Sequence, residues 1–304
     1  MKKNSYSLLL CLALAYVVDV RPEPLFASTS SKRSRSDRDI SAIGRREIIQ
    51  GKDLVFVGSP EKEKQLGAQL SAAVERTAKL VNDPVVTAYL AGLAQNIARN
   101  SDARMPIAVS VIDTDELNAC TSPGGYQYIT RGLLLRLDSE GELASVLARG
   151  IALSALHLPT RAVVRASLMT IAALPMKTPA TAFACTSSPP TIFNGMRQED
   201  ELDADYFGLQ YLYKTGYDSD SFVRFVQRVW PAPTASASTP FTSFPPLTRR
   251  LKDIRAEIAD ILPPRGQEIE STSAFEEFQE HLRIWQIQHP LPNQPVLHRA
   301  NVKE

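Results

Sequence analysis

Apolar residues recur every three or four positions through most of this chain, and only in its second quarter does the period shorten to two. Leu66, Leu70, Ala73 and Val74 share one face between Glu61 and Lys79, which predicts an amphipathic helix. Val81-Asn82-Asp83-Pro84 breaks that pattern: Asp83 can cap a following helix and Pro84 can occupy its first turn. Val86, Tyr89, Leu90, Leu93 and Ile97 then continue at helical spacing. Ile107 to Ile112 is rich in β-branched residues and predicts a strand; after a turn at Pro123-Gly124-Gly125, Tyr126 to Thr130 alternates as a second, half-exposed strand. Arg131 to Leu137 reads as a short helix, and Ser139 with Glu142 has the spacing of a capping box opening a longer one. Prolines 175, 179, 189 and 190 make the next stretch an irregular connection. Helices resume over Arg197–Tyr213, Ser219–Val229, Arg249–Ile261 and Ala274–Ile287, with a loop rich in Ala, Ser, Thr and Pro from Pro231 to Pro246. No repeat is present. The order predicts an α+β fold, mainly helical with a small β-sheet.

The amino terminus adds an address. Lys2 and Lys3 precede an apolar run from Leu8 to Val18, with small residues Ala27 and Ser28 beyond it, the layout of a signal peptide over residues 1–27. Residues 28–57 are polar and are expected to form a loosely held arm. No later segment offers about 18 uninterrupted apolar residues, so no transmembrane helix is expected in the mature chain, which should be soluble and either periplasmic or secreted. Across 304 residues the net charge is +1, with 44% hydrophobic and 22% charged residues, which gives no field favouring nucleic acid. Removal of the leader would leave Cys120 and Cys185, open to one disulfide or to two buried thiols.

The helix opened by Ser139 carries the sequence's main chemical signal. A zinc peptidase needs two imidazoles four residues apart on one helical face, with a glutamate beside the first to take the proton of the metal-bound water. Here the corresponding stretch is Leu147-Ala148-Arg149-Gly150-Ile151-Ala152-Leu153.

The flanking motifs do resemble such a peptidase. Asp113-Thr114-Asp115-Glu116-Leu117-Asn118-Ala119, Pro123-Gly124-Gly125-Tyr126, Thr130-Arg131-Gly132-Leu133-Leu134 and Glu142-Leu143-Ala144-Ser145 fall in order ahead of it. Glu199-Asp200-Glu201-Leu202-Asp203-Ala204-Asp205, with Tyr206, Gly208 and Gly216-Tyr217-Asp218, follows it. Together, over roughly Glu61 to Pro264, they resemble the zinc metallopeptidase family M48 and its Glu-zincin scaffold. The resemblance implies a metallopeptidase-like domain over 58–265, followed by a C-terminal helix and tail over 266–304.

Residue by residue, the resemblance puts Arg149 at the first ligand position, Gly150 at the general-base position and Leu153 at the second ligand position. Glu201 retains the third ligand position, Asp205 is its supporting neighbour, and Phe244 stands where a histidine usually precedes proline. No catalytic residue and no zinc are therefore expected; the cofactor expectation is none. Of the four histidines, 157, 281, 289 and 298, only His157 follows the motif helix closely, one turn beyond Leu153 and displaced from the metal position. Arg149 is expected to pair with Glu201, and to reach Asp205, unless it extends to solvent. Ala204 and Gly208 would let their helix approach the motif helix closely. Pro123, Gly124, Gly125 and Tyr126 resemble the edge on which the family docks an extended substrate, giving a candidate binding site for a polypeptide or partner protein. The expectation is a pseudopeptidase. The alternatives are an active zinc metalloendopeptidase using His157 with Glu201, and a structural or regulatory subunit of an active relative.

Overall fold

The computed structural model describes residues 36–48, 58–164, 198–229 and 245–290, all within the unit Ser34–Glu304. Caps written in the sequence set the helix starts. In α1 (Pro60–Thr77) Ser59 accepts a hydrogen bond from the Lys62 amide, and in α2 (Pro84–Arg99) Asp83 accepts from Val85 and Val86. Strand β1 (Ala108–Ile112) follows, then β2 (Ala119–Ser122), a 3₁₀ turn at Pro123–Gly125 and β3 (Tyr126–Thr130). Short α3 (Arg131–Leu134) leads to α4 (Glu140–Ala155), capped by Ser139. Beyond it lie α5 (Gln198–Thr215), α6 (Asp220–Val229), α7 (Leu247–Asp260) and α8 (Ser273–Gln288).

The three strands are ordered β1-β3-β2, with β1 parallel and β2 antiparallel to β3. Strand β2, whose Ala119 and Cys120 are not fully buried, was not read from the pattern because four residues are too few to show a period. Strand β3 is central and almost wholly buried, so the half-exposed strand expected there is corrected. Alternation sends Tyr126 and Tyr128 to one face, where Tyr128 packs with Val74 of α1 and with Ile112. Ile129, with Val111, joins the main core on the other face, against α2 and α4.

Helix α4 runs through the centre: all 16 of its residues are buried. Helix α5 crosses it at close range, because a Cβ on Gly208 would lie 2.9 Å from the Arg149 Cα. The C-terminal helix α8 is part of this same core through Phe275, Phe278 and Leu282, each contributing about 1.5–3 kcal/mol of burial.

The polar arm is not loose over 36–48. Arg46 donates from Nε and Nη2 to Asp102 at 3.0 and 2.6 Å and from Nη1 to Gln210 at 2.6 Å, while the Gly44 amide donates to Asp102 at 2.7 Å. Tyr211 completes the Asp102 site at 3.0 Å, and Ile43 enters the core. A buried carboxylate must find donors, and this segment supplies three of them.

Among the described residues no single helix is long and apolar enough to cross a membrane; α4 taken with the segment 158–164 meets the length and composition but is bent by 55°.

Candidate functional site

Helices α4 and α5 bring the sequence's candidate positions together. Arg149 points from α4 to α5, where Nη2 donates to Glu201 Oε2 in a very short contact and Nε donates to Asp205 Oδ1 at 3.0 Å. Asp205 is shared: Arg250 of α7 donates from Nε to Oδ2 at 2.6 Å and from Nη2 to Oδ1 at 2.7 Å. Two guanidinium groups thus face two carboxylates in a buried, formally neutral cluster, with Arg250 0% exposed. Burial works against the charge of Arg149, but Glu201 and Asp205 outweigh it and hold its pKa above the ordinary value. Burial raises the Glu201 pKa, against the pull of Arg149 and Arg250 and with the push of Asp205 and Asp200. One step further out, Arg161 of the segment after α4 lies 3.9 Å from Asp200.

Gly150 does not open onto solvent. Gln127, on β3, lies against it: a Cβ on Gly150 would come within 2.7 Å of the Gln127 Cδ and Oε1. Gln127 is 2% exposed and its Nε2 finds no hydrogen-bond partner among the described residues. Leu153 joins the apolar core. Phe244 lies outside the described residues.

Arg250 and Gln127 were missed from the sequence. Arg250 had a readable signal: with Ile254 and Glu257 it falls on the inward face of α7, an unusual place for a cation unless it has a buried acid to meet. Gln127 had none, since a polar residue at an alternate position of a strand ordinarily faces water.

His157 is not brought to Glu201. It sits in the turn that ends α4, with a φ of 51°, and its Nδ1 lies 2.5 Å from Glu63 Oε2 of α1. The proposed edge is corrected as well. Tyr126 belongs to the central strand, and the Pro123–Gly125 turn is covered by α1: a Cβ on Gly67 would lie 2.2 Å from the Pro123 carbonyl oxygen. The strand at the sheet margin beside α4 is β2. Cys120, on β2, is disulfide-bonded, and the other half of that bond falls outside the described residues.

Arginine carries no acceptor lone pair, and glycine and leucine offer no side-chain donor atom, so positions 149, 150 and 153 give nothing to a metal. Among the described residues no group of three or more His, Cys, Asp or Glu side chains is placed to hold one. The site as described therefore does not fit a tetrahedral zinc cage, and no step below passes through a metal.

A family model, Peptidase family M48, matches residues 84–258. The chain is 27% identical over 222 residues to the beta-barrel assembly-enhancing protease of Escherichia coli (strain K12), covering 66% of this chain and 45% of that protein. The protein of the same name from Yersinia pestis is 26% identical over 218 residues, 65% of this chain and 43% of its own length. A putative beta-barrel assembly-enhancing protease of Vibrio cholerae serotype O1 is 30% identical over 170 residues, 49% of this chain and 34% of that protein. The chain spans less than half the length of these curated relatives. The match overturns the expectation that the cofactor is none: the family is one of zinc metallopeptidases, and zinc is the cofactor it implies.

Proposed function

The chain belongs to peptidase family M48, and on that footing we propose that it is a member that binds an extended polypeptide without cutting it. One observation carries this reading: at Gly150, which the family resemblance assigns to the general-base position, Gln127 fills the space where a side chain would extend. Hydrolysis by the family's route needs a carboxylate there to take a proton from water. Arg149 strengthens the reading, because its guanidinium engages Glu201 and Asp205 with donors only and can accept no proton at physiological pH.

The binding surface proposed is the outer margin of β2, beside α4. An extended segment can add there as a further strand by main-chain hydrogen bonding. The curated relatives are named for enhancing β-barrel assembly, which supports a β-barrel polypeptide before assembly as the bound partner. The amino-terminal pattern supports a periplasmic or secreted location.

The test is a paired assay on the full chain, with zinc supplied so that metal is not limiting. Fluorescent peptides with alternating β-barrel-strand character are expected to bind, with labelled casein left uncut after long incubation. Turnover that is lost on Glu201→Gln would overturn the inactivity. Loss of peptide binding on a proline substitution at Ala119 is expected if β2 is the docking strand, and unchanged binding would move the surface elsewhere. A second reading, an active metalloendopeptidase, is favoured by the family membership and by the relatives' designation as proteases; the casein arm decides it.

A further inference from the structure

Most buried carboxylates in the described residues that meet a cation meet an arginine. Asp102 has Arg46, Asp113 has Arg131, Glu142 has Arg228, and Glu201 and Asp205 have Arg149. Arginine keeps its charge at every pH a protein survives, so those pairs cannot be switched. Glu63 differs. It is 3% exposed, on the inner face of α1, and the basic side chain beside it is His157, which is charged only when protonated. Its other oxygen accepts from the Thr160 hydroxyl at 2.6 Å. Histidine is the side chain whose charge changes in the physiological range.

The helix that Glu63 anchors buries few apolar side chains, with Leu66, Leu70 and Ala73 only half-buried. The buried residues of α1 are Glu63, Gly67, Ser71 and Val74, a stripe with one apolar side chain. Gly67 meets the Pro123 carbonyl, Ser71 accepts from the Tyr128 hydroxyl at 2.8 Å, and Val74 packs in a small cluster with Ile112 and Tyr128. These contacts secure the middle and the C-terminal half of α1. In its first turn Glu63 is the one buried residue, and it reaches His157 and Thr160.

We propose that the His157–Glu63 pair is a pH-operated latch that holds the first turns of α1 against the end of α4. With His157 protonated, the Glu63 carboxylate is compensated. When His157 loses its proton, the buried carboxylate keeps only neutral donors, the Thr160 hydroxyl and an imidazole N–H, and its uncompensated burial favours release of the helix end into water. Among the described residues, the charged groups around this pair face solvent or have a partner of their own. On α1, Glu61, Lys62 and Lys64 are exposed and Glu75 is bonded to Ser71; beyond His157, Arg161 faces Asp200; the Pro123–Gly125 turn carries no charge. His157 lies in a left-handed turn, where its side chain is 22% exposed and can exchange protons with solvent.

Hydrogen exchange of the full chain, read by mass spectrometry and corrected for intrinsic rates, tests the latch. Peptides from the first half of α1 should lose about threefold or more in protection between about pH 5.5 and about pH 8, while α4 peptides stay unchanged. Glu63→Gln, which keeps the hydrogen bonds and removes the buried charge, should abolish that dependence. His157→Asn, which tolerates the left-handed turn but cannot titrate, should abolish it too. In the unmodified protein, the NMR titration midpoint of His157 should coincide with the α1 transition, a readout that stands even if a variant fails to fold. Flat α1 protection, a pH dependence retained by both variants, or separate midpoints would overturn the proposal.

Discussion

Gly150→Ala isolates the contact on which the functional reading rests. In an exposed helix interior this change would stabilise by about 1 kcal/mol, because alanine loses less backbone freedom than glycine on folding. At Gly150 the new Cβ would lie 2.7 Å from the Gln127 Cδ and Oε1 and 2.9 Å from its Nε2. Gln127 is 2% exposed, so its amide must make room by shifting within the protein interior. Overpacking of this kind costs about 1–3 kcal/mol, which leaves the variant between neutral and about 2 kcal/mol less stable. The assay is urea unfolding followed by far-UV circular dichroism on four proteins: the unmodified chain, Gly150→Ala, Gln127→Ala and the double variant. Shortening Gln127 removes the obstruction, so the alanine at 150 should then recover its helix gain, and the cycle should give a coupling of about 1–3 kcal/mol. Additivity within about 0.5 kcal/mol would refute the reasoning, since it would mean that Gln127 does not occupy the space a side chain at 150 needs.

Other outcomes follow from the same structure. Arg149→Met should cost about 3–5 kcal/mol in the same urea assay by leaving Glu201 and part of Asp205 uncompensated, and adding Glu201→Gln should recover a share of it; a loss under about 1 kcal/mol would show the cluster to be solvated. Arg46→Met should destabilise by a comparable about 3–5 kcal/mol and raise the exchange rate of residues 36–48 selectively, since Asp102 loses both of its guanidinium contacts. At Asp83, burial raises the carboxyl pKa, but the Val86 and Val85 amides and His281 outweigh it, so the pKa is lowered overall. Its capping stability is therefore complete above the unfolded aspartate value and is lost as pH falls through the lower folded value. Asp83→Ala should cost about 1 kcal/mol near neutrality and converge with the parent in strong acid; a difference that persists there would show the cap to be uncharged in effect.

The long periodic helices were legible because each has an apolar face and some have a cap as well: Asp83, Pro84 and the Val86–Ile97 spacing define α2 without help from the rest of the chain. The Arg149–Glu201 contact was legible too, since the family resemblance puts both residues at ligand positions of one site and a carboxylate there without a metal calls for a counter-charge. What could not be read was anything decided by pairing between distant strands. The place of β3 at the centre depends on β2, which is too short to announce itself, and so the edge was assigned to the wrong strand. Buried polar contacts were equally hidden. Arg46 lies in a sequence that looks like a solvated basic stretch, and its partners Asp102 and Gln210 are 56 and 164 residues away.

The stretch matched by the family model, residues 84–258, stops short of the residues that close the core. Ile43 and Arg46 lie ahead of it, and Phe275, Phe278 and Leu282 lie after it. The unit of resemblance and the unit of folding are therefore different objects. A fragment trimmed to the recognisable region would expose Asp102 and Tyr211 on one flank and strip the aromatic cover from α2 on the other, where Phe278 stacks on Tyr89 at 4.6 Å between ring centroids. Exchange of the central helices between relatives would leave behind the flanking segments that give those helices their dry surroundings, so grafted pieces would inherit the family's motifs without its cohesion.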